Sequence, residues 1–186
     1  FGHGGVYVLQ VPYLLFYADK NRDDVPDGDP RVLLTGFGME DAHAFANSLT
    51  WGPDGWLYGA QGSTVTANIR GIEFQQGVWR YHPLTCEFEL FCEGGGNSWG
   101  LDFDEKGQAF ITACVIPHLY HIIPGARYER QGGTHFNKHT YDDIKTIAEH
   151  RHYVGNQWNN DNRRQSDELG GGHAHAGAMI YLGGAW

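Results

Sequence analysis

Four side chains stand out for the chemistry they could do. His43, in Asp41-Ala42-His43-Ala44-Phe45, is an imidazole able to take a hydroxyl proton near neutral pH. Asn97, in Gly94-Gly95-Gly96-Asn97-Ser98-Trp99, carries an amide with both donors and an acceptor. His173 and His175, in Gly172-His173-Ala174-His175, would point to one side of an extended segment and could share a metal, although no third ligand is fixed by spacing. Taken singly, such a His or Asn is more often a hydrogen-bonded loop residue than a base or a ligand.

Oxygen-bearing side chains recur at Asp19, Asn21, Asp23 and Asp27, relative positions 1, 3, 5 and 9 of one loop. That spacing lets a loop wrap calcium, a hard cation that takes oxygen ligands. The usual Gly at position 6 and Glu at position 12 are missing, so the loop is not an EF-hand; the alternative is a solvated acidic turn with Asx bonds. The glycines at 94–96 lead into a strand pattern and not a helix, which rules out a phosphate cradle there. A metal-dependent hydrolase or lyase at the His-rich segments lacks paired carboxylates placed to help.

The elements that must position these residues repeat. Leu49-Thr50-Trp51-Gly52-Pro53-Asp54-Gly55-Trp56-Leu57-Tyr58 aligns with Leu101-Asp102-Phe103-Asp104-Glu105-Lys106-Gly107-Gln108-Ala109-Phe110 at an offset of 52, each copy reading strand, tight turn, strand. A third, truncated copy, Gly5-Val6-Tyr7-Val8, matches at an offset of 50. A second hairpin follows each: Tyr13 to Tyr17 with Arg31 to Leu34, Gly77 to Tyr81 with Glu87 to Phe91, and His118 to Ile123. Four strands per ~50 residues is the unit of a β-propeller. The fold expected is all-β: about three four-stranded blades of a probable six, with a remnant at 1–36, blades at 37–93 and 94–126, an insertion at 127–172, and the start of a further blade at 173–186. Tyr141 to Tyr153 reads as a short helix inside the insertion, with Thr140 as N-cap. Because His43, the Asn97 loop and the His173/His175 segment each precede the first strand of a blade, they are expected at one rim of the channel.

Composition agrees, with 27 Gly for turns and 10 Phe, 10 Tyr and 6 Trp for half-buried sheet surfaces. A net charge of −9 without a basic run argues against nucleic acid as a partner, and no apolar run reaches the ~20 residues of a membrane-spanning helix. The opening Phe1-Gly2-His3 has no signal-peptide pattern, so the chain is expected to begin inside a longer protein. Cys86 and Cys92, read as one strand with Phe88 and Leu90 on the same face, cannot bridge each other; the three cysteines are apolar fillers, or Cys92 pairs with Cys114.

On Leu49 to Gly59, Gly77 to Pro83, Asn97 to Asp104 and Gly171 to Gly177, the chain resembles the glucose/sorbosone dehydrogenase superfamily. It is closest there to the propeller domains assigned as membrane-bound dehydrogenases in planctomycete-type bacteria. The resemblance implies a sugar or alcohol oxidised by hydride transfer to pyrroloquinoline quinone (PQQ), with calcium polarising the quinone and a cytochrome c as a possible acceptor. It also implies an exported, periplasmic or cell-surface setting. It makes His43 the base, one residue further from Gly52 than the family pattern has it, and Asn97, His173 and His175 the residues lining the cofactor site. Where that family has an Arg before the Asn, this chain has Gly96. The alternative is a non-catalytic propeller that binds carbohydrate or protein.

Overall fold

The computed structural model describes residues 1–114, 119–132, 135–136, 142–147 and 176–184. Among them the chain is all-β, with strands in four sheets, none closed on itself, and no helix. The first sheet is an antiparallel meander of β1 (Gly5–Gln10), β2 (Tyr13–Ala18) and β3 (Arg31–Thr35). The second runs through β4 (Asn47–Trp51) and β5 (Leu57–Gln61) to β8 (Gly77–Tyr81) and β9 (Phe88–Gly95). A small hairpin of β6 (Ala67–Ile69) and β7 (Ile72–Phe74) is inserted between β5 and β8. The third sheet is β10 (Asn97–Phe103), β11 (Ala109–Cys114) and β12 (Leu119–Ile122).

The repeat seen in the sequence is a repeat of hydrogen bonds. Gly52 N–H donates to the Trp56 carbonyl and Gly55 N–H to the Gly52 carbonyl, and 52 residues on Asp104 N–H donates to Gln108 and Gly107 N–H to Asp104. Gly55 (φ 83°) and Gly107 (φ 76°) hold the same left-handed position, which a side chain would strain. The truncated copy turns differently, with His3 (φ 49°) and Gly4 (φ 78°) both left-handed between Gly2 and Gly5, as a two-residue hairpin requires.

Two apolar layers join the sheets. Between the first and second, Trp79 is fully buried against Phe37, ring centroids 5.0 Å apart, with Leu14, Leu34 and Phe88 in the same cluster. Between the second and third, Tyr58 meets Phe91 and Phe103 edge to face at 5.2 and 5.0 Å. Side chains of β4 also bond the backbone of β10: Asn47 Nδ2 to the Ser98 carbonyl (3.0 Å), Ser48 Oγ from Gly100 N–H (2.7 Å) and Thr50 Oγ1 to the Leu101 carbonyl (3.0 Å). The next seam repeats this, for Asp102 Oδ2 accepts from Ile180 N–H at 2.7 Å. Segment 176–184 thus lies along β10 much as β10 lies along β4.

Three expectations change. The stretch read as the start of an insertion opens with β13 (Arg127–Arg130), which joins the second sheet parallel to β9. The helix expected over Tyr141 to Tyr153 is absent where it can be described, at 142–147. There the Ile144 N–H donates to the Arg127 carbonyl and its own carbonyl accepts from Glu129, so its backbone bonds go to β13 and not along a helix. The remainder of that helix lies outside the described residues. Finally, Cys86 precedes β9, exposed and with φ 59°, and the β8–β9 register slips at Phe91. This bulge puts Cys92 with Phe91 in the layer facing the third sheet, away from Phe88 and Leu90. All three cysteines are free.

Candidate functional site

His43 lies in the loop between β3 and β4, and its side chain is 93% exposed. Asp41 holds it twice: Oδ1 accepts from the His43 backbone N–H at 2.9 Å and lies 3.1 Å from Nδ1 of the ring. The other oxygen, Oδ2, accepts from the Thr64 hydroxyl at 2.6 Å. The Thr64 hydroxyl, then the backbone and ring of His43, hold the Asp41 carboxyl below its ordinary value. A carboxylate beside Nδ1 favours the tautomer with its proton there, leaving the Nε2 lone pair outward as a proton acceptor.

Asn97 comes from the neighbouring sheet, at the start of β10. Its Nδ2 donates to the His43 carbonyl at 2.9 Å and its Oδ1 is buried without a partner. The structure therefore brings Asn97 to His43 as a clasp on the backbone, with the amide turned inward. Gly62 makes the contact possible, since a Cβ there would stand 2.2 Å from Asn97 Oδ1 and 2.7 Å from the Ala44 backbone.

From Asn97 the polar contacts continue around a ring. Asn97 N–H donates to Gln131 Oε1 (3.2 Å), and Gln131 N–H to the Gly95 carbonyl (3.2 Å). Next to Gln131, Arg130 reaches Gln75 Oε1 with Nη2 (2.5 Å). Gln75 Nε2 donates to Thr66 Oγ1 (3.1 Å), and Thr66 N–H to Glu40 Oε1 (3.2 Å). Through Val65, Thr66 returns to Thr64 and so to Asp41 and His43. Segments far apart in sequence thus form one rim carrying an imidazole, two carboxylates, a guanidinium and amides.

A family model described as a domain of unknown function, DUF7133, matches residues 1–186. The chain belongs to this family. No curated protein and no solved structure matches it.

In this DUF7133 domain the acidic loop stands apart from the rim. Its oxygens accept from its own N–H groups: Asp19 Oδ1 from Asp23 (3.2 Å), Asp23 Oδ1 from Val25 (2.9 Å) and Asp27 Oδ2 from Lys20 (2.9 Å). Asn21 Nδ2 donates to Asp23 Oδ2 at 2.9 Å. Among the described residues no group of three or more His, Cys, Asp or Glu is placed to hold a metal ion. His173 and His175 lie outside the described residues.

Arg80 organises a second polar cluster between the second and third sheets. Its guanidinium lies 4.3 Å from the Trp56 ring centroid and pairs with Asp54 (2.9 Å) and Glu89 (2.6 Å). The Tyr58 hydroxyl donates to Asp54 Oδ2 at 2.7 Å, and burial, then that bond, push its phenol up to about 12. A cleft of about 250 Å³ opens beside this cluster, with Tyr58, Phe91 and Phe103 in its wall.

Sequence reasoning passed over Asp41, Thr64, Gln75, Arg130 and Gln131. Asp41 carried a signal, a carboxylate two residues before the histidine. Arg130 and Gln131 carried none, because only the parallel pairing of β13 with β9 brings them beside Gly95 and Asn97.

Proposed function

We propose that this domain is part of a β-propeller related to the sugar and alcohol dehydrogenases, and that His43 takes the proton of the hydroxyl being oxidised. The observation that carries the reading is the Asp41–His43 pair, with Nδ1 engaged and Nε2 facing outward on a rim of hydrogen-bonding groups. The 52-residue repeat of hairpins and the side-by-side first strands support the propeller. Hydride transfer needs a two-electron acceptor, for which the resemblance implies PQQ. Gly96 has no side chain to offer it and the Asn97 amide is already engaged, so these two positions do not fit a quinone. An exported setting and a cytochrome c acceptor belong to the same proposal. Calcium at Asp19, Asn21, Asp23 and Asp27 is supported by spacing alone, and binding there would exchange the loop's internal bonds for the ion.

A second reading, a non-catalytic platform for carbohydrate, is favoured by the inward-turned Asn97 and by the openness of His43. Dye-linked oxidation of sugars and alcohols by the full-length protein with PQQ and calcium tests the choice. Turnover falling ~100- to 10,000-fold in His43→Ala, with ligand binding retained, is the outcome expected of a general base. Unchanged turnover excludes His43, and no oxidation by the unmodified protein leaves the platform.

A further inference from the structure

Arg130 differs from the other guanidiniums of the second sheet in what it bonds. Arg80 and Arg127 both lie against carboxylates, Arg127 with Asp143 at 2.5 Å. Arg130 makes no ion pair among the described residues. Its Nε donates to the Gly132 carbonyl at 3.0 Å and its Nη2 to Gln75 Oε1 at 2.5 Å, both neutral acceptors. Five N–H groups less these two leaves three, two on Nη1 and one on Nη2, enough for an end-on fork. The residue is partly buried, and burial draws the guanidinium below its ordinary value while the charge of Glu93 pushes the other way. A partly desolvated guanidinium that has a fork left over and no countercharge in contact among the described residues is suited to receive a planar anion.

Its position says which ligand. Arg130 pairs in register with Gly95, two residues from Asn97, and Gln131 beside it bonds the Asn97 N–H. It therefore stands on the same rim as His43, where the outward imidazole and the Thr66 hydroxyl, an acceptor in its bond from Gln75, can meet the hydroxyls of a polyol. We propose that Arg130 is the anion anchor of this rim and that the ligand bound there is an acidic sugar, a polyhydroxylated small molecule bearing a carboxylate. The inference rests on the rim being the ligand site and not on catalysis.

Calorimetric titration of the full-length protein with D-glucuronate and D-glucose at fixed ionic strength tests it. Glucuronate is expected to bind about 10- to 100-fold more tightly, the preference to vanish in Arg130→Gln, and part of it to survive in Arg130→Lys. Equal affinities, a preference that survives Arg130→Gln, or no binding of glucuronate overturns the proposal. Should Arg130→Gln fail to fold by circular dichroism, acetate in excess is expected to displace glucuronate from the unmodified protein, and failure to displace it counts against the anchor. Because binding is read without turnover, a protein that binds glucuronate but oxidises nothing refutes only the dehydrogenase reading. One that oxidises neutral and acidic sugars alike, with equal affinities, refutes only this inference.

Discussion

Asn97 donates its side-chain amide to the backbone carbonyl of His43 across 54 residues of sequence, at 2.9 Å, and so ties the loop before β4 to the first strand of the next sheet. The bond joins two sheets at the point where the rim carries its imidazole.

Replacing Asn97 by Ala removes that clasp and the buried oxygen with it. A loss of about 1 kcal/mol is expected in urea unfolding, the net value of one hydrogen bond, since the unpartnered Oδ1 disappears together with its donor. A loss beyond ~3 kcal/mol would mean that the amide does more than hold the His43 loop.

Gly62→Ala should cost more than the usual surface substitution. The new methyl would stand 2.2 Å from Asn97 Oδ1 and 2.7 Å from Ala44 backbone atoms, so the loop must shift, at roughly 1–3 kcal/mol. The same shift moves His43, and its ring resonances in a nitrogen–proton correlation spectrum should move with it. Neutral stability and unmoved resonances would show that the rim has room to spare.

The Asp41–His43 pair predicts a tautomer. In the native chain Nδ1 should carry the proton in neutral His43, while Asp41→Ala should return the ring toward the mixture of free imidazole, read from its two nitrogen shifts. The sign with pH follows from the lowered Asp41 carboxyl: the contact is present above its titration and is lost as pH falls through it. Identical nitrogen shifts in the two proteins would remove the positioning role.

Alkaline pH tests the inter-sheet layer. Burial raises Tyr58, Tyr128 and Cys92 to about 12 from ordinary values of 10.0, 10.0 and 9.0. Groups that hold their protons more tightly when folded give their full contribution below the unfolded values and lose it as pH rises from about 9 through 12, on the order of 3 kcal/mol for each phenol and roughly 4 kcal/mol for the thiol. Tyrosinate absorbance should therefore rise together with unfolding, and Tyr58→Phe should flatten the slope by one group. Tyrosinate forming well before unfolding would show that the phenols are reachable from solvent.

The all-β class was legible because turn glycines recur at Gly55 and Gly107 between alternating strands, and the structure gives both the same left-handed bond pattern. His43 and Asn97 could be named, but their relation could not, since the Asn97 amide turns inward only because Gly62 leaves room for it. Strict alternation put Cys92 on one face with Phe88 and Leu90, and the slip of register at Phe91 is what turns it to the other. The helix expected around Ile144 failed for a different reason: its apolar spacing suits a helix, yet its backbone finds better partners on β13. Arg130 was invisible because its parallel partner, Gly95, is 35 residues away and leaves no local trace.

The pairing of β13 with β9 also bears on how the protein is made. The outer edge of β9 stays uncovered until Arg130 has been synthesised, and by then β10, β11 and β12 already lie behind it in the chain. During vectorial synthesis the second sheet cannot finish before the third has emerged, so the two should mature in one cooperative step and not in sequence. A nascent chain halted near residue 120 would carry the bare edge of β9, which a chaperone could recognise, and one released past residue 130 would have that edge covered by β13.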